Sequence, residues 1–277
     1  MAQQSRRAFF KTAGAAVAST AILDGLKGTS VIGGNTPLTL GMASYTFREF
    51  ELDACLAMTK RLGLKKIAFK SFHLALDASE SEIKDVKQKV NDAGLDLYGG
   101  GVIYMKNEDQ VHRAFNYAKT AGMRVIIGVP NYDLLDLAEE QVKANDIVLA
   151  IHNHGPGDNV YPSPESAYEK IKERDPRMGL CIDIGHTERI GLDPAEEFVK
   201  FKDRVFDIHI KDVTKNTAEG QTVEIGRGII NIPYFLRTLA HHDYKGIVSL
   251  EYEKDGNDPL PGAAESIGYL RGVLDTM

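Results

Sequence analysis

The chain has 277 residues, 43% of them hydrophobic, enough to bury one large core, and barrels of roughly 250 residues routinely fold as single domains. A formal net charge of −6 argues against a nucleic-acid partner, because a binder of the phosphate backbone needs a basic face. Cys55 and Cys181 stand far apart inside apolar patterns, in no C-x-x-C spacing, and read as reduced core thiols rather than a disulfide frame.

In chain order, the first feature is SRRAFFK at 5–11, followed by the mildly apolar, small-residue stretch TAGAAVASTAILDGL. Ser5, Arg6, Arg7, Phe9, Phe10 and Lys11 resemble a twin-arginine export signal. That resemblance implies a leader over residues 1–35, a periplasmic location and no transmembrane helix in the mature chain, since the stretch is too short and too weak to span a bilayer. From 36 to 277 short β-branched runs alternate with helical patterns. Strands are predicted at 38–44, 65–70, 96–103, 124–129, 147–154, 179–185, 205–212 and 246–253. Helical periodicity falls at 51–62, 79–93, 108–121, 133–144, 164–174, 194–203, 232–242 and 263–275, and SPESAYEKI and DPAEEFVKF each set a cap before a first-turn proline. Eight strand–helix units imply an α/β protein with a (β/α)8 TIM barrel, because parallel strands need helical crossovers and eight strands close the sheet. An open doubly wound sheet is the other arrangement, but no G-x-G-x-x-G follows the first strand.

A barrel of this kind works at the carboxyl ends of its strands. His152 and His154 end the fifth predicted strand, Asp183 and His186 the sixth, His209, Lys211 and Asp212 the seventh, and Glu251 and Glu253 the eighth. Period-two alternation puts His152 with His154, His209 with Lys211, and Glu251 with Glu253 on shared faces. Burying so many titratable groups together costs free energy unless a cation compensates them. One divalent metal ion meets that need, with Asp183, His209 and Glu251 as ligands and a histidine of the fifth strand as the fourth. Two nitrogens and two carboxylate oxygens suit manganese, cobalt, zinc or iron better than calcium. Taken singly, Asp183 reads as a turn residue, His209 as a hydrogen-bonded core histidine and Glu251 as an edge residue; their recurrence at corresponding strand ends favours the metal.

The segments GLCIDIGHTER, FDIHIKD, EIGRGIINI and VSLEYE, in this order and spacing, resemble the sugar isomerase and epimerase branch of the xylose-isomerase-like barrels, which also includes inosose dehydratases and endonuclease-IV-like enzymes. The resemblance runs from the first strand to the end of the chain. It implies a metal held by a strand-five carboxylate, Asp183, His209 and Glu251, with His186 and Arg227 as substrate contacts. The chain departs from that pattern at His152, where the epimerases carry glutamate, so a symmetric exchange between two glutamates is in question. His154, nearer the mouth, is then the favoured strand-five ligand, with His152 as a second ligand or proton carrier.

The chemistry implied is proton abstraction next to a carbonyl that a metal polarises. Glu251, Glu253, His152 and Lys211 are the candidate bases. Lys70 and His73 follow the second strand at the working end and are candidate sugar contacts, against a surface lysine and a loop-stapling histidine. Arg227, in a glycine-flanked loop, reads as a sugar or phosphate contact, against a plain turn. His241 and His242 fall on the opposite face, where they favour a helix dipole. The leading expectation is a metal-dependent sugar isomerase or epimerase acting on a small carbohydrate, unphosphorylated or oxidised. A lyase or dehydratase acting on a keto-sugar or a 3-keto-glycoside comes next, and a non-catalytic carbohydrate-binding barrel after it. The ligand inventory is short for the three-metal cluster of an endonuclease-IV-type enzyme.

Overall fold

The computed structural model describes residues 38–277. The expected leader and its export signal lie outside the described residues. Eight parallel strands form a closed barrel: β1 (Thr39–Ala43), β2 (Lys66–Phe69), β3 (Asp96–Met105), β4 (Val125–Pro130), β5 (Val148–His152), β6 (Met178–Asp183), β7 (Val205–Ile210) and, after a two-stranded ribbon of β8 (Asp212–Val213) and β9 (Thr222–Val223), β10 (Ile247–Leu250). Around the barrel the order is β1, β10, β7, β6, β5, β4, β3, β2. Every predicted strand is present. The ribbon was not legible as strand, because two-residue pairings carry no periodicity.

The outer ring is made by α1 (Leu52–Arg61), α2 (Glu80–Asp92), α3 (Glu108–Ala121), α4 (Leu135–Asn145), α5 (Pro164–Ile171), α7 (Pro194–Phe201), α8 (Ile232–His241) and α9 (Leu260–Leu274), with a short extra helix α6 (Ile184–Glu188) directly after β6. Local chemistry starts these helices. Ser79 and Ser163 build reciprocal capping boxes, and Asp193 caps Ala195 and Glu196 ahead of Pro194 at the first turn. Each helix then turns an apolar stripe to the sheet, as Val111, Phe115 and Ala118 do in α3 and Leu236 and Leu239 in α8. A fully buried side chain of this size contributes about 1.5–3 kcal/mol relative to exposure. No helix among the described residues is long and apolar enough to cross a membrane.

Strand pairing brings the ionisable residues together. Asp183 on β6 is in register with His209 on β7, His209 with Ser249 on β10, and His152 on β5 with Cys181 on β6. Glu251 follows β10 directly, and its N–H donates to the Ile210 carbonyl at 3.1 Å, which carries the β7–β10 ladder one residue further. The carboxylate-bearing strands β10, β7 and β6 are therefore consecutive around the barrel.

Candidate metal centre and active site

His152, Asp183, His209 and Glu251 each offer a ligand atom within 4.8 Å of the others, and all four residues are buried. His152 Nε2 lies 3.2 Å from His209 Nδ1 and 3.5 Å from Asp183 Oδ2, and His209 Nδ1 lies 3.2 Å from Glu251 Oε2. Asp183 divides its work between two oxygens. Its Oδ1 caps α6 by accepting the His186 N–H at 2.8 Å, and its Oδ2 is buried, with the Lys211 ammonium 2.9 Å away as an ion-pair partner. A buried carboxylate oxygen facing two imidazole nitrogens and a second carboxylate is an arrangement that a metal cation satisfies.

The electrostatics agree. Lys211, two residues beyond His209, carries its ammonium 2.9 Å from Asp183 Oδ2 and 2.7 Å from Glu251 Oε2, and also pairs with Glu253. Burial alone would push the Asp183 carboxyl up, but His186 and Lys211 hold it far below the usual carboxylate range. Glu251 is likewise lowered, against its burial, by His209 and Lys211. Burial depresses His152 to about 3, so it is neutral and able to donate a lone pair. His209 is raised, against burial, chiefly by Cys181 and Glu251. A divalent ion in the cluster would leave the carboxylates of Asp183, Glu251 and Glu253 balanced by the ion and Lys211. The residues fit the metal.

Several expected roles change with the geometry. His152, not His154, belongs to the ligand cluster, because His152 is the last residue of β5 and points inside the barrel. His154 lies in the loop beyond, its Nε2 3.1 Å from the Tyr104 hydroxyl and its Nδ1 3.4 Å from Asp158 Oδ2. The loop is shaped for this: Gly155 has φ +72°, and a Cβ there would meet the His186 carbonyl at 2.7 Å. Lys211 bridges the carboxylates of Asp183, Glu251 and Glu253, which raise its pKa well above the ordinary lysine value against the opposing effect of burial. His73 staples a loop: its Nε2 sits 3.0 Å from the Phe50 carbonyl and its ring packs on Phe69 and Phe72. Arg227 forms a two-pronged surface pair with Glu265 and is outside the cleft. The loop that carries it is anchored by Asp212, whose carboxylate accepts the N–H groups of Val213, Gly226, Gly228 and Ile230 at 2.9–3.2 Å.

Above the cluster lies a cleft of about 280 Å3 lined by Tyr45, Lys70, Val102, Tyr104, His152, His154, His186, Glu251 and Glu253. Lys70 donates to the Val102 carbonyl at 2.6 Å, and burial lowers its pKa, partly offset by Glu251. A larger hollow lies elsewhere, at the amino-terminal end of the barrel around Tyr98, Arg124, Phe206 and Tyr244, away from the ligand cluster. Three residues of the site went unread in the sequence. Asn153 ties the ends of β5 and β6 by accepting the Asp183 N–H at 3.0 Å and donating to Thr187 at 3.2 Å. Tyr45 and Tyr104 line the mouth from β1 and β3. Position after a strand end could have suggested Tyr45; the outward-reading end of β3 hid Tyr104.

The model of the xylose isomerase-like TIM barrel family matches residues 56–273. The chain belongs to that family. Among proteins similar to this xylose isomerase-like barrel, the rhizopine catabolism protein MocC of Rhizobium meliloti is 27% identical over 151 residues, covering 49% of this chain and 46% of that protein. An inosose dehydratase of Mesomycoplasma hyopneumoniae is 30% identical over 152 residues, covering 48% and 50%. The chain spans about half the length of the curated relatives it matches. A D-tagatose 3-epimerase-like protein superimposes with a TM-score of 0.71 at 19% identity over 86% of this chain and 98% of that one, a likeness of fold. The curated relatives include inosose dehydratases, and the buried cluster could bind one metal ion.

Proposed function

We propose that this protein is a metal-dependent enzyme that removes the proton next to a ketone on a sugar or cyclitol and expels the oxygen substituent at the β position. The observation that carries this reading is the polarity of the cleft. The carboxylates that line it, Glu251 and Glu253, stand together just beyond β10, whereas the ends of β2 and β3 and the loop after β5 offer Lys70, Tyr104 and His154. A base on one side and proton donors on the other is the equipment of an elimination. The resemblance to inosose dehydratases over half the chain supports it.

His152, Asp183, His209 and Glu251 would hold the ion, which when bound supplies Lewis-acid polarisation of the ketone. Glu253 is the base: it sits at the mouth, outside the ligand set, and pairs with Lys211, which orients it. It takes the proton from the carbon beside the ketone. The electrons of that C–H bond become the new C=C bond as the β C–O bond breaks, and the leaving oxygen takes a proton from the Tyr104–His154 pair. The products are an unsaturated ketone and water or an alcohol. His186, 3.9 Å from Asp183, and Lys70 both line the cleft and would hold hydroxyls of the bound ring.

Isomerisation or epimerisation is the second reading, favoured by one observation. The hydrogen-bonded Tyr104–His154 pair stands across the mouth from Glu253 and could return a proton to carbon instead of to oxygen. Incubating metal-loaded protein with keto-sugars and 3-keto-glycosides in D2O separates the two. Release of an alcohol or of water supports elimination; deuterium incorporated at one carbon with no mass otherwise lost overturns it in favour of the second reading. The periplasmic location remains a proposal resting on the amino-terminal motif; fractionation of expressing cells tests it.

A further inference from the structure

Beneath the ligand cluster the barrel interior is polar where branched apolar side chains usually fill it. Tyr98, Cys181, Asp207 and Ser249 are each at most 1% exposed. The Tyr98 hydroxyl shares a hydrogen bond with Ser249 Oγ at 2.6 Å and also faces Asp207. Asp207 lies two residues before His209 on β7, so both side chains enter the same interior, and its register partner on β6 is Cys181. The Cys181 thiol lies 3.9 Å from Asp207 Oδ1 and also against the His209 ring.

Two buried atoms in this layer have no partner: His209 Nε2 and Asp207 Oδ2. His209 turns Nδ1 to the cluster, 3.2 Å from both His152 Nε2 and Glu251 Oε2, so a metal ligated by Nδ1 leaves the proton of the ring on Nε2. A buried N–H without an acceptor costs about 1–3 kcal/mol. Histidine ligands elsewhere meet this demand with a carboxylate or a carbonyl.

We propose that Asp207 is the positioning residue of the metal site, its Oδ2 accepting the Nε2–H of His209 through one buried water and so fixing the tautomer that presents the Nδ1 lone pair to the ion. The inference rests on the metal reading of the cluster. Asp207 touches neither ion nor substrate, and Cys181, between the two side chains, is a spacer that keeps them aligned rather than the acceptor, since a thiol accepts weakly.

The test measures Zn2+ and Co2+ affinity by competition with a chromophoric chelator, in the wild type, in Asp207→Leu and in Asp207→Asn. Removing the acceptor in Asp207→Leu should weaken binding about 10- to 100-fold. Asp207→Asn keeps an acceptor oxygen and should restore part of the loss, with the cobalt absorption spectrum altered in Asp207→Leu and closer to wild type in Asp207→Asn. A purely structural role would lower the melting temperature of the metal-free variants and leave affinity and spectrum unchanged; that result overturns the proposal. Should Asp207→Leu fail to fold, nitrogen NMR of the Zn2+-loaded wild type decides: a protonated Nε2 on His209 supports the proposal, and coordination through Nε2 overturns it. A wild type that binds no divalent ion refutes the metal reading together with the proposal, whereas wild-type binding that is unaffected in both variants refutes the proposal alone.

Discussion

Lys211→Met removes the buried ammonium that bridges Asp183, Glu251 and Glu253 while roughly keeping its volume. Lys211 is 2% exposed and two of its partners, Asp183 and Glu251 at 2.9 and 2.7 Å, are at most 9% exposed, so these are buried pairs and not surface pairs worth about 0–1 kcal/mol. Taking one partner from a buried pair costs about 3–5 kcal/mol, because the remaining charges are left uncompensated. For a chain of this size that corresponds to a fall of roughly 6–20 °C in melting temperature at about 2–4 °C per kcal/mol. The loss should be read on metal-free protein, with chelator present, by circular dichroism during thermal unfolding. Metal added back should then raise the melting temperature of the variant more than that of the wild type, because the ion now answers two demands. If the metal-free variant melts within about 2 °C of wild type, a shift below what 1 kcal/mol produces, the assignment of Lys211 as the compensating charge is wrong.

Alanine at His152 should abolish stoichiometric metal binding, whereas alanine at His154 should leave metal content intact and slow turnover; elemental analysis of the purified variants separates the two histidines. Arg227→Ala should change stability by less than about 1 kcal/mol and leave turnover near wild type, because its partner Glu265 is a surface carboxylate; steady-state kinetics and melting check both. Asp212→Ala strips the acceptor of four backbone N–H groups and should open the 212–230 loop to limited proteolysis at protease levels that spare the wild type. Glu224 is lowered from 4.5 to about 2, first by its hydrogen bond with Lys254 and also by the Tyr252 hydroxyl. Its folded pKa is depressed, so its contribution is present above pH about 4.5 and is lost as pH falls towards about 2. Glu224→Gln should flatten that part of the acid limb of the melting curve, and an unchanged limb would contradict the assignment.

The eight strands, the eight main helices and the barrel closure were legible because strand runs and helical stripes each repeat with their own period, and because parallel strands leave few ways to connect. Asp183, His209 and Glu251 were legible for the same reason: a residue at a strand's carboxyl end must reach the mouth. The choice between His152 and His154 was not, since both share a face and only the point where β5 stops, fixed by its pairing with β6, decides which ring enters the barrel. Arg227 misled because loop sequence says nothing of the partner across space, here Glu265 from α9. Asp207, Cys181 and Ser249 read as ordinary strand residues, and the polar layer they form with Tyr98 exists only once β3, β6, β7 and β10 close on one axis. Sequence therefore determined the repeating elements and the end of each strand at which chemistry gathers, both local consequences of backbone period and chain direction. Tertiary structure alone decided which groups meet across strands and what charge each feels, because distance and burial are properties of the packed barrel and not of any segment within it.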